Sequence, residues 1–136
     1  MSMSYQRADT TLTAAIIGAT TPYLWLHTGS PGENGTANVA QISASNIARK
    51  LMSFGAIANH ASNVERTTVI DTGIAWTGAQ IDASQAITHF SIWSAETDGN
   101  LEFLDTVTTG KTTGSDGITI AVGDVECAIT VFVKPA

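Results

Sequence analysis

The chain has 136 residues, of which 43% are hydrophobic and only 13% charged, with a net charge of −6 and a pI near 4.7. That length makes one ordinary domain, able to bury roughly two-thirds of the surface its unfolded chain would expose. The acidic balance argues against nucleic acid, whose phosphates need a basic stripe, and anionic membrane surfaces are disfavoured likewise.

In chain order, residues 1–7 read as an N-terminal arm ordered by contact with a partner, and residues 8–136 as a single domain. Asp9 or Thr10 can cap a short helix whose apolar positions Leu12, Ala15, Ile16 and Ala19 recur at three- and four-residue spacing, with Gly18 near its end. After Pro22 comes a strand at 23–28, a Gly-rich loop at 29–38 and a second loop-like region at 39–48. Within the first loop Ser30-Pro31-Gly32 supplies a fixed φ and then a residue free to take φ > 0, as a type II turn requires.

Residues 50–54 are a strand candidate that 56–59 continues or turns, and 66–72 is a stronger one because Thr67, Thr68, Val69 and Ile70 favour β structure. A short apolar patch follows at 74–77. Residues 87–94 alternate, with Phe90 and Ile92 on one face and His89, Ser91 and Trp93 on the other, which predicts a central strand covered on both sides. Asp98-Gly99 supplies the positive-φ pair of a two-residue hairpin turn into a strand at 101–107. Residues 110–117 read as a polar loop, then 118–122 as a strand, Gly123-Asp124 as a turn and 126–133 as a last strand. About seven to nine strands at this spacing predict an all-β, antiparallel β-sandwich or jelly-roll-like domain with one short N-terminal α-helix.

Charge is unevenly placed. Residues 1–66 carry Arg7, Arg49, Lys50 and Arg66 against Asp9, Glu33 and Glu65, so 4 − 3 = +1; residues 67–136 carry Lys111 and Lys134 against nine acids, so 2 − 9 = −7. The basic patch of one subunit is thus expected to meet the acidic face of the next, a steering effect. Tyr5, Arg7, Tyr23, Arg49, Lys50 and Arg66 are the interface candidates. Ser30, Glu33, Asn34, Lys111 and Asp116 are the candidates for exposed, partner-reading loops.

The search for chemistry returns little. His27, His60 and His89 lack ligand spacing, no Cys-X-X-Cys or His-Glu-X-X-His accompanies them, and no metal site is expected. His27 and His89 can meet across a sheet, where a structural role is the expectation. There is no Gly-X-Ser-X-Gly elbow and no phosphate loop, so neither a catalytic residue nor a cofactor is predicted. Asp116, Asp124 and Glu126 read as solvated loop acids rather than a calcium loop. Cys127 lies in an apolar alternation and reads as a structural thiol. No charged segment followed by an apolar core opens the chain, and no run of about 18 or more apolar residues occurs, so no membrane insertion is expected.

The run Tyr23-Leu24-Trp25-Leu26-His27-Thr28-Gly29-Ser30-Pro31-Gly32-Glu33-Asn34-Gly35-Thr36-Ala37-Asn38 carries a resemblance. Followed in order by Arg49-Lys50, Phe54-Gly55-Ala56, residues 87–94 and residues 118–124, it resembles a family of small virion structural proteins of tailed bacteriophages, commonly minor tail or tail-fibre-like proteins. The resemblance covers most of residues 20–133. It implies a non-enzymatic virion component, assembled in the host cytoplasm, that forms a homo-oligomer, with a trimer favoured, alongside other phage structural proteins. A tail-tip or fibre subunit working in adsorption is the preferred reading. A capsid decoration protein and a module binding host-surface glycans through exposed tryptophans are the alternatives.

Overall fold

Strands in this chain are built where bulky residues alternate, and their two faces define the layers. A computed structural model describes residues 2–3, 22–41, 49–54, 58–59, 65–69 and 73–131. Among them the strands are β1 (Ser2–Met3), β2 (Tyr23–His27), β3 (Lys50–Leu51), β4 (Ala58–Asn59), β5 (Glu65–Val69), β6 (Ile74–Thr77), β7 (Ala86–Trp93), β8 (Leu101–Thr112), β9 (Gly117–Ile120) and β10 (Glu126–Val131). No helix occurs among the described residues, and the helix expected after Asp9 lies outside them. Tyr5 and Arg7 lie outside them too. Ser2 and Met3, placed by sequence in the arm, form β1.

The class is all-β. A central sheet has the order β3-β2-β7-β8, a second sheet β1-β10-β5-β4, and β6 pairs with β9 as a ribbon. Every ladder is antiparallel except β1–β10, which is parallel. In the central sheet Leu24 stands opposite Ile92 and Leu26 opposite Phe90, so four fully buried side chains share one face. That face packs on the ribbon, where Trp76 opposes Ile118 and Ile74 opposes Ile120. Met52, Phe54, Ile81, Ile87 and Val125 complete the core. Full burial of each such Leu, Ile or Phe side chain stabilises by about 1.5–3 kcal/mol.

Two boundaries differ from the sequence reading. β8 runs to Thr112, so Lys111 sits in a strand instead of a loop. Its threonine-rich end favours extended backbone, and it is held on one side by pairing of Lys111 and Thr112 with Ile87 and Ala86 and on the other by Thr108 N–H donating to Asp124 O at 2.9 Å. The turn into β8 is also longer than two residues. Asp98 and Gly99 do take positive φ, 54° and 74°, but within a connection spanning residues 94–100 that closes with Ser94 N–H donating to Asn100 O at 3.0 Å. The register shift between Ile92 and Trp93 accompanies this wider loop.

Candidate functional site

The face of the central sheet away from the ribbon is unusual in being both aromatic and polar. Period-two alternation places Tyr23, Trp25 and His27 of β2 there, opposite Trp93, Ser91 and His89 of β7. His27 and Ser91 are fully buried and Trp93 is 7% exposed. The cover is the loop 29–38, which leaves β2 and folds back over the sheet.

Gly32, after Pro31, takes the positive φ that its sequence predicts, 72°. Gly35 N–H then donates to Gly32 O at 3.0 Å and Ala37 N–H to Pro31 O at 2.9 Å. Thr28 N–H donates to Asn38 O at 2.8 Å, and Ala40 N–H to Leu26 O at 3.0 Å, closing the base. At the tip, Gly35 presses on Trp93 and Leu101: a Cβ there would stand 2.8 and 3.0 Å from the Leu101 methyls and 3.1 Å from Trp93 Cζ2, at a φ of +69°. Gly35→Ala is expected to destabilise by about 1–2 kcal/mol, since the Leu101 side chain can turn aside while the left-handed backbone cannot be relieved. Hydrogen exchange should show the loss concentrated in 29–38; unchanged protection there would contradict the contact.

Beneath the loop runs a chain of hydrogen bonds. Trp93 Nε1–H donates to Ser91 Oγ at 2.8 Å, Ser91 Oγ lies 2.7 Å from His27 Nε2, and His27 Nδ1 lies 2.8 Å from Ala37 O. A serine beside a histidine has the outline of a nucleophile and its base, yet this pair is fully buried, which leaves no face for a substrate. The second nitrogen of the ring meets a carbonyl where a triad would place a carboxylate. The arrangement is a satisfied structural histidine, as its place in the sequence led us to expect.

Arg49 closes the other side. Its guanidinium stacks 4.0 Å from the Trp93 ring centroid and 4.5 Å from that of Trp25, and the two rings meet edge-on at 5.8 Å. One guanidinium nitrogen donates to Ala95 O at 3.1 Å and to Asp98 O at 2.6 Å, so Arg49 holds the connection 94–100 against the sheet. Burial lowers its pKa from the ordinary arginine value, opposed by the Asp98 carboxylate. At 8% exposure it is inside the domain instead of on a basic patch.

The other candidates are dispersed. Lys50 reaches over the Trp76 ring at 5.2 Å and donates to Ala75 O and to Gln80 Oε1. Tyr23 is half-buried between Trp93 and Leu51, and Arg66 lies in β5 beside Asn59 and Ile129 in register. Lys111 pairs with Asp124 and donates to Thr119 O at 2.8 Å, while Asp124 also accepts from Ala121 N–H at 2.7 Å. Ser30, Glu33, Asn34 and Asp116 are exposed. Among the described residues no group of three or more His, Cys, Asp or Glu is placed to hold a metal ion. The burial of Arg49 and the Trp93–Ser91–His27 chain escaped the sequence reading; alternation places Ser91 and Trp93 on one face of β7, but nothing local shows that Arg49 covers it.

Fold and site together define an all-β protein in which the loop 29–38 is pinned on an aromatic sheet. Residues 3–128 match the family model of the Podophage GP4 fiber I protein gp80, and the chain belongs to that family of phage fibre proteins. No curated protein matches the chain. The phage structural resemblance carried by residues 23–38 and the motifs after them agrees with this family.

Proposed function

We propose that the chain is a self-associating subunit of the phage tail tip or fibre, acting in adsorption to the host. The observation that carries this reading is the fibre-family match over residues 3–128. Its loops suit the role, because Ser30, Glu33 and Asn34 are exposed on a segment whose base is fixed by His27 and whose tip rests on Trp93. Repetition in a closed ring, with a trimer favoured, multiplies weak contacts by avidity. The partners are further copies of the chain, neighbouring phage structural proteins and a host-surface glycan. A glycan would be met by these polar loops, since Trp76 and Trp93 are buried and Trp25 is half-buried under Arg49. Assembly takes place in the host cytoplasm.

Immunogold electron microscopy of intact particles, with antibody against this domain, is expected to label the tail. Label spread over the head would replace this reading with capsid decoration. Native mass spectrometry of the purified chain is expected to show a closed oligomer, and a single-chain mass at every concentration would contradict self-association.

A further inference from the structure

The hydrogen-bond chain under the loop suits a neutral His27. A carbonyl only accepts, so the bond to Ala37 O places a hydrogen on Nδ1. The indole of Trp93 only donates, so Ser91 Oγ receives that hydrogen on one lone pair, and with His27 neutral it gives its own to Nε2. Burial favours the neutral ring, with Nε2 as acceptor. A second proton on Nε2 would make it a donor to the remaining Ser91 lone pair and displace the Ser91 hydrogen from its acceptor, in a fully buried site.

The surroundings add to this cost. The titratable and charged groups acting on the ring are His89, opposite in the β2–β7 ladder, and Arg49, whose guanidinium lies over the Trp25 ring, 5.5 Å by centroid from that of His27. Both disfavour another positive charge. Among the described residues no carboxylate offsets them at this ring. The charged imidazole can be hydrated in two ways, by parting β2 from β7 or by lifting the loop. The ladder carries five registered pairs of the core sheet, whereas the loop is held to the sheet by the Ala37 carbonyl at its base and by packing of Gly35 on Trp93 and Leu101 at its tip.

We propose that residues 29–38 form an acid-released strap: protonation of His27 lifts the loop and uncovers the Trp93–Leu101 floor of the sheet, while the two-layer core stays folded. Burial is the largest influence on the ring and holds its pKa below the ordinary 6.5; the Ala37 carbonyl opposes it, and His89 and Arg49 reinforce it. With the strap open the ring is solvated and returns toward 6.5, so each proton taken up favours the open state. The closed form draws its full advantage from His27 above about pH 6.5 and loses it as pH falls through the lower value of the closed state.

The test is amide and indole hydrogen exchange on the full chain, expressed as protection factors to remove the intrinsic pH dependence, with His27 followed by NMR titration between about pH 8 and about pH 5. Protection of the Trp93 indole N–H, which lies under the loop on Ser91 Oγ, is expected to be lost as His27 titrates, with β7 backbone amides still protected. His27→Gln, neutral throughout, should keep the same protection at both ends of the range. Ser91→Ala keeps the histidine and removes the hydroxyl hydrogen that Nε2 accepts, so release should move to higher pH; this variant carries the test if His27→Gln fails to fold. The proposal is overturned if His27→Gln retains the wild-type pH response, if the Trp93 indole N–H stays protected while His27 titrates, or if the β7 backbone opens together with the loop.

Discussion

Gly117→Ala is expected to be the most damaging small substitution in this protein. Gly117 begins β9 at φ +92°, and a Cβ built there would lie 1.9 Å from Trp76 O and 2.6 Å from the Thr77 carbonyl carbon. The obstruction is backbone, so no side-chain rotation relieves it. The β6–β9 ladder must part at Thr77–Gly117, next to the pair that aligns Trp76 with Ile118 in the core. Backbone strain and lost pairing together should cost on the order of 4 kcal/mol. For a chain of this size that lowers the melting temperature by roughly 14 °C. Gly123→Ala is the control. Gly123 has nearly the same φ, +88°, with nothing within 4 Å of its would-be Cβ, so it should lose only about 1 kcal/mol of conformational preference. Equal melting temperatures for the two variants would refute the close approach as the cause.

Arg49→Ala is expected to destabilise the domain by about 3 kcal/mol, through two charge-assisted bonds to carbonyls and stacking on two indoles. The deletion also leaves the Ala95 and Asp98 carbonyls without this donor. Arg49→Lys should recover less than half, because an ammonium cannot stack as a plane across Trp25 and Trp93 while donating to both carbonyls. Denaturant midpoints measure the loss, and exchange at residues 94–100 should localise it. From charge distribution alone, Arg49 was expected to meet an acidic neighbouring subunit. That role predicts a lower oligomer mass with an unchanged denaturant midpoint, and such a result would sink the internal-clasp account.

The sequence disclosed local structure well where one residue type leaves few choices. Pro31-Gly32 had to turn, Asp98-Gly99 had to take positive φ, and the double alternation of residues 87–94 had to be covered on both faces; the φ values of Gly32, Asp98 and Gly99 and the burial of Phe90, Ser91, Ile92 and Trp93 agree. Distances along the chain concealed the rest. Arg49 is an ordinary surface residue until two tryptophans from separate strands and two carbonyls of one loop are brought around it. Lys111 read as loop because Thr108 to Thr113 is polar, yet threonine suits an edge strand, whose outer residues need not be apolar. The pairing of His27 with Ser91 depends on β2 lying beside β7, which no local pattern encodes.

The parallel ladder between β1 and β10 has a mechanical meaning. Because the first and last described strands run side by side in the same direction, a pull on the two ends of the chain acts along both strands in opposite senses. The Ser2–Thr130 and Met3–Val131 pairs then carry load in shear and must yield together, whereas an antiparallel pairing of the two ends would open like a zipper, one rung after another.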